Sequence, residues 1–269
     1  MCADHAAPGR AAWPTGRPAL AAQGAPAAAL HESCLVLDDV TVAYGRRVIL
    51  SHVDADIPRS QVVSIIGANG SGKSTLLKAI AGLVPLAGGA IRCFGEPIDR
   101  MRRHVAYVPQ REDVDWSFPV SVRDVVMMGR YPLRGWLRRS TPDDERAVAR
   151  ALDDLAIADL ASKQIGELSG GQQRRAFIAR AIVQEPDVIL LDEPMAGIDE
   201  QTHDRILALF DEWRAAGKVV LQATHTHVHG GSMIVLRRRG EPGSAEHAEH
   251  LGAEGGEHHE HHEHHGRGD

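Results

Sequence analysis

The strongest chemical signal in the sequence is an eight-residue run, Gly67-Ala68-Asn69-Gly70-Ser71-Gly72-Lys73-Ser74, which fits the spacing G-x-x-x-x-G-K-[ST]. Glycines at these intervals let the backbone curl until successive N–H groups point inward, an arrangement that holds phosphate oxygens. Lys73 can then reach the β- and γ-phosphates of a nucleotide, and the Ser74 hydroxyl is a ligand for Mg2+. A helix beginning there aims its positive end at the anion. A second run, Val188-Ile189-Leu190-Leu191-Asp192-Glu193, delivers two carboxylates at the end of an apolar stretch. Asp192 would hold Mg2+ through water, and Glu193 would orient or deprotonate an attacking water. Alone, a buried strand before an acidic turn is common; beside the phosphate loop it reads as the other half of a phosphoryl-transfer site. A third run is Leu168-Ser169-Gly170-Gly171-Gln172. Its Ser169, Gly170 and Gly171 precede a helix expected over Gln172–Ile182 and make a second helix start able to receive an anion.

These residues need rigid elements beneath them. Gln61 to Ile66 is a β-branched run ending in glycine, as a buried strand should be, and Thr75 to Ala81 reads as the helix that follows it. Leu35 to Val42 and Val48 to Leu50 read as strands, as do Val188 to Leu191, Lys218 to Ala223 and Met233 to Leu236. Thr141-Pro142-Asp143-Asp144 is a helix start, with an N-cap, a proline in the first turn and two acids against the dipole. Ala147, Val148, Ala151, Leu152 and Leu155 then share one face. Strands alternating with helices predict an α/β fold, a phosphate-loop core on a parallel sheet. The early β-rich part and the helical stretch over 141–181 are expected to be additions to that core.

Composition bounds the rest. The 269 residues are 43% hydrophobic and 25% charged, ordinary for a globular chain, and no run approaches the 18 apolar residues of a membrane span. Three cysteines, Cys2, Cys34 and Cys93, have no metal or pairing spacing, which suits a reducing compartment. The net charge of −6 is uneven: residues 241–269 hold seven Glu and one Asp against Arg267, so the tail carries −7 and the remainder +1. Such a balance speaks against nucleic acid as a partner. Residues 1–32 contain twelve Ala, four Pro and three Gly and are expected to be disordered. Arg10 and Arg17 ahead of an Ala-rich stretch would suit an export signal, but Gln23, Gly24 and Pro26 break it. The expected folded domain is 33–240, and 241–269 reads as a mobile His/Glu-rich tail.

The three motifs, in their order along the chain (67–74, 168–172, 188–193), resemble the ATP-binding subunits of ABC transporters over roughly residues 33–240. The resemblance implies an ATPase with a parallel-sheet core, an antiparallel β subdomain and a helical subdomain. It implies a homodimer packed head to tail, each ATP held between the phosphate loop of one copy and the L-S-G-G-Q of the other. Gly67, Asn69, Gly70, Gly72, Lys73, Ser74 and Thr75 would bind nucleotide, with Ser169, Gly170, Gly171 and Gln172 acting across the dimer. By the same resemblance Tyr44 stacks on adenine, Gln110 senses Mg2+ and water, Asp199 lies in a loop that communicates across the dimer, and His225 contacts the γ-phosphate. Glu193, His225 and Gln110 are thus the expected catalytic set, and Ser74, Gln110 and Asp192 the Mg2+ set. One departure stands out. The acidic residue the family usually has after His225 is missing, and Thr226-His227-Val228-His229-Gly230-Gly231 runs directly toward the last strand. Glu193 and His225 remain, so hydrolysis is expected to survive.

The stretch Val108 to Pro119, with Trp116 and Phe118, together with Val125 to Tyr131 and Gly135-Trp136, resembles the zinc/manganese importers of bacteria. That likeness implies integral membrane permease subunits, a separate extracellular substrate-binding protein and a place on the cytoplasmic face of the plasma membrane. Aromatics in a polar loop also suit docking to a partner. Two other functions are open at this point: a metal-type ATPase serving a surface-protein-linked transporter with another cargo, and a soluble ABC ATPase outside transport. The tail residues His258, His259, His261, His262, His264 and His265, interleaved with Glu, could bind Zn2+.

Overall fold

The computed structural model describes residues 33–110, 117–135, 138–224, 232–236 and 249–251. The chain opens with a long antiparallel hairpin, β1 (Ser33–Tyr44) and β2 (Arg47–Pro58), then enters the first core strand, β3 (Gln61–Gly67), and the helix α1 (Lys73–Ile80). Next come β4 (Gly88–Cys93), the short β5 (Glu96–Pro97) and α2 (Ile98–Met101), and then β6 (Val105–Val108). Helices α3 (Val122–Met128), α4 (Tyr131–Arg134), α5 (Pro142–Asp154) and α6 (Gly170–Ile182) follow. The chain then returns to the core through β7 (Val188–Asp192), α7 (Glu200–Ala215), β8 (Val219–Thr224), β9 (Ser232–Leu236) and β10 (Glu249–Leu251).

Two sheets result. One is four-stranded, in the order β2-β1-β4-β5, and its pairings are antiparallel. The other is six-stranded, in the order β10-β9-β3-β8-β7-β6, with β10 antiparallel at one edge and the other pairings parallel. Alternation along the core strands divides the apolar side chains between two layers. In β7, Val188 and Leu190 join the cluster shared with α1 and the antiparallel sheet, while Ile189 and Leu191 face α3, α5, α6 and α7. The sheet is therefore covered on both faces, which a parallel sheet requires.

The expected architecture of parallel core, antiparallel β part and helical part is present. The hairpin strands run longer than expected, since their alternation continues through bulges at Asp39 and His52, both at positive φ. Strands β4 and β6 were not anticipated: each is short, with charged residues close beside it. Helices α1 and α6 each start two residues earlier than the apolar pattern indicates, because they open on Lys73-Ser74 and Gly170-Gly171 rather than on apolar residues. Within the stretch expected to be a tail, Glu249–Leu251 forms an edge strand on β9, opposite Met233, Ile234 and Val235. Residues 1–32 lie outside the described residues.

Candidate functional site

The phosphate loop spans the gap between β3 and α1. Gly70 and Gly72 both take positive φ, 78° and 101°. Gly72 is the N-cap of α1, and no side chain caps that helix. A Cβ on Gly72 would lie 2.6 Å from Leu50 Cδ2, so the close packing of the hairpin under the loop requires glycine there. Ala68, Asn69 and Gly70 form the exposed rim, and Thr75 follows Ser74 in the first turn of α1. Lys73 folds back over the loop, its Nζ donating to the carbonyls of Gly67 (2.7 Å) and Ala68 (3.3 Å). Burial pulls the Lys73 amine below its ordinary range, and the charges of Glu193 and Asp192 oppose that shift. An ammonium whose hydrogen bonds, among the described residues, go to these two carbonyls is suited to a phosphate.

The end of β7 brings the carboxylates to this loop. Ser74 Oγ donates to Asp192 Oδ1 at 3.0 Å, and the Tyr107 hydroxyl donates to Oδ2 at 3.3 Å. Asp192 is 1% exposed. Burial pushes its carboxyl up, the hydrogen bonds from Ser74 and Tyr107 pull it down, and the nearby Glu193 charge adds to the rise. A buried carboxylate facing a hydroxyl is a hard oxygen donor set, and a divalent cation such as Mg2+ would relieve its burial. Glu193 leaves the strand at φ 51°, held by its N–H donating to Ala223 C=O at 3.0 Å and by its own C=O accepting from Ala196 N–H at 3.2 Å. This turn sets its side chain beside Gln110, whose Nε2 donates to Glu193 Oε2 at 3.3 Å.

The structure thus gathers Lys73, Ser74, Asp192, Glu193 and Gln110 into one site. The Ser169 segment is not part of that cluster. Ser169 caps α6: its Oγ accepts from Gln172 N–H at 3.4 Å, and Gln172 Oε1 accepts from Ser169 N–H at 3.0 Å. Ser169 is exposed, and a Cβ on Gly171 would meet nothing within 4 Å, so this helix start opens outward beside Gly170 and Gly171. Asp199 caps α7, accepting from Thr202 N–H (2.9 Å) and Thr202 Oγ1 (2.8 Å). The backbone bond from Thr202 leads the effects that lower its carboxyl. Tyr44, at the end of β1, is 49% exposed, and Phe118 is 62% exposed. His225, Trp116 and the tail residues His258, His259, His261, His262, His264 and His265 lie outside the described residues.

Two residues at the site had no sequence signal. Tyr107 lies in β6, outside every motif, yet its hydroxyl donates to Asp192. Arg174 lies two residues past the third motif, is 8% exposed and binds the backbone carbonyls of Pro109 and Asp192.

Comparison with known proteins agrees with this geometry. The family model described as ABC transporter matches residues 50–196. The zinc transport system ATP-binding protein TroB of Treponema pallidum is 47% identical over 70% of this chain and 71% of its own length. The manganese transport system ATP-binding protein MntB of Bacillus subtilis is 46% identical over 70% of this chain and 76% of its own. Among solved structures, cbiO1 of Clostridium perfringens, part of the ABC transporter complex cbiONQ, superposes with a TM-score of 0.66 at 26% identity, covering 82% of this chain and 89% of that one. A dimeric ATP-binding cassette bound to ADP and phosphate shares the fold with a TM-score of 0.70 at 24% identity, covering 82% of this chain and 99% of that one.

Proposed function

This chain belongs to the ABC transporter family, as an ATP-binding ATPase subunit, and from that premise we propose that it drives import of a divalent metal, zinc or manganese, through separate permease subunits. The observation that carries the cargo is the identity of 46–47% to subunits of zinc and manganese transport systems. No described helix is long and apolar enough to cross a membrane, which suits a subunit that works from the cytoplasmic face of the plasma membrane by docking to a permease. Phe118, exposed in the loop that follows Gln110, supplies an apolar docking point for that partner. A separate extracellular binding protein would deliver the metal.

In this reading Gly67, Asn69, Gly70, Gly72 and Thr75 cradle the phosphates, Lys73 neutralises them, and Tyr44 stacks on adenine. Ser74, Gln110 and, through water, Asp192 would hold Mg2+, which shields phosphate charge during transfer. Glu193 orients the attacking water and takes its proton, Gln110 fixes the Glu193 carboxylate, and His225 contacts the γ-phosphate. Two copies pack head to tail, so that Ser169, Gly170, Gly171 and Gln172 of one reach the γ-phosphate held by the other, with Asp199 near the seam. The Glu/His tail binds Zn2+ through many overlapping ligand sets, weakly and with loss of binding as imidazoles protonate. Zinc calorimetry on the full chain and on a chain ending at Leu251, which keeps β10, tests this: identical titrations would refute binding by the tail.

The central test is Glu193→Gln. The amide keeps the shape but cannot accept a proton, so kcat should fall by on the order of 100-fold or more while ATP still binds. ATP should then convert the variant to a dimer on size exclusion. Normal turnover would remove Glu193 from the mechanism. Metal specificity is read by uptake of radioactive zinc or manganese in membranes carrying the permease; uptake indifferent to ATP hydrolysis would refute the coupling.

A further inference from the structure

Arg174 lies in the second turn of α6, the helix that Ser169 caps. Its side chain turns inward, away from that cap. One terminal nitrogen, Nη1, donates to Pro109 C=O at 2.6 Å, and the other, Nη2, donates to Asp192 C=O. These two carbonyls belong to the residues immediately before Gln110 and Glu193. They stand where the parallel pair β6 and β7 ends, since the pairing closes at Val108 opposite Leu191. Beyond that point the ladder no longer fixes the distance between the two chains. The planar guanidinium spans the opening with both ends of its fork, which an ammonium on a single stem cannot do.

We propose that Arg174 is a positioning residue for ATP hydrolysis: it sets the separation of the Gln110 and Glu193 backbones and ties both to α6. It acts through the 3.3 Å hydrogen bond between Gln110 and Glu193. Because α6 carries Ser169 at its start, a small displacement of that helix reaches the acid-base pair of the same chain through one rigid group. A helix that receives the partner copy's nucleotide thereby adjusts hydrolysis at its own site. The inference rests on the ATPase reading given above.

The test is steady-state hydrolysis by the full chain carrying Arg174→Gln, Arg174→Lys or neither, with ATP-analogue binding and melting temperature measured on each. Arg174→Gln should lower kcat by on the order of 10- to 100-fold, the scale of a small misplacement of catalytic groups, with KM and analogue affinity within about threefold. Arg174→Lys should fall between, since one ammonium holds one carbonyl. In a Gln110→Ala background the Arg174→Gln effect should shrink, because the two residues act on one bond. A kcat within about twofold of wild type in both variants would overturn the proposal. So would a parallel loss of kcat, analogue affinity and melting temperature with Lys no better than Gln, the pattern of a purely structural residue. If the Gln variant does not fold, the Lys variant decides: reduced kcat at unchanged KM supports the role, and unchanged kcat refutes it. A wild-type chain without hydrolysis would instead sink the ATPase reading itself.

Discussion

Helices α1 and α6 both start on glycine-containing turns, and both have the dipole that favours an anion. Their first turns are finished in opposite ways. At α1 the N-cap is Gly72, at φ 101°, which has no side chain to offer the first-turn N–H groups. At α6 the N-cap is Ser169, and Ser169 and Gln172 satisfy each other's backbone N–H groups in a reciprocal capping box. The first start is an open cradle surrounded by a buried cation and a buried carboxylate. The second is exposed and already hydrogen-bonded to itself. An anion at α1 meets donors that the cap residue leaves open, whereas an anion at α6 must share or displace a cap. If α1 binds nucleotide as proposed, α6 would contribute only when other contacts bring a phosphate to it.

The largest effects should come from substitutions that separate the two starts. Lys73→Ala removes the dry ammonium at α1 and should weaken ATP binding by the monomer by on the order of 10- to 100-fold, the scale of a lost charge-assisted hydrogen bond. Ser169→Arg places a bulky side chain on the outward-facing start and should leave monomer affinity within about twofold while blocking the ATP-driven dimer. Isothermal titration with a non-hydrolysable ATP analogue reads the first quantity and size exclusion the second. Equal losses of monomer affinity in both variants would mean that both starts serve one nucleotide within one chain, and the contrast would fail.

The open start was legible because glycine spacing encodes backbone conformation directly: only glycine tolerates the geometry of Gly72. The meeting of Ser74 with Asp192 was legible because both motifs belong to one chemistry. The two-residue error at each helix start has a physical cause, since apolar periodicity is silent where the first turn faces a ligand or solvent. Arg174 escaped because its partners, Pro109 and Asp192, are backbone carbonyls far away in sequence, and no residue type marks a carbonyl as an acceptor. The positive φ at Glu193 escaped for a related reason: Pro194 marks a turn but not its handedness, and the Glu193 N–H is held by Ala223 C=O from the neighbouring strand. Strand β10 contradicts the composition of its surroundings, because three residues can add to an exposed edge without a core of their own.

The caps themselves are tested next, the glycine cap by stability and the serine cap, with the smallest expected effect, last. Gly72→Ala forces a β-carbon into a left-handed residue and against Leu50, so it should cost about 2–3 kcal/mol of stability by urea unfolding and loosen the cradle as well. Ser169→Ala removes only the side-chain oxygen that accepts from Gln172 N–H, a bond at 3.4 Å on an exposed helix end. Cap deletions of this kind cost about 1 kcal/mol, and the length of the bond places this one at the low end of the range of about 0.5–2 kcal/mol. The deletion also frees that N–H for a phosphate from the partner copy. Loss of the cap therefore has two opposed consequences for the dimer: the helix start is less ordered, but its donor no longer has a competitor. If the self-capped start restrains dimer closure, Ser169→Ala should lower stability slightly while ATP-driven dimerisation by the Glu193→Gln chain persists at near-normal ATP concentration. If the serine oxygen itself binds the partner's phosphate, the same substitution should raise the ATP concentration needed for dimerisation by on the order of tenfold, one hydrogen bond to a charged group. Dimer fraction against ATP concentration, measured in the Glu193→Gln background with and without Ser169→Ala, separates the two. The tenfold shift would show that the capping box is a placeholder for the ligand rather than a barrier to it.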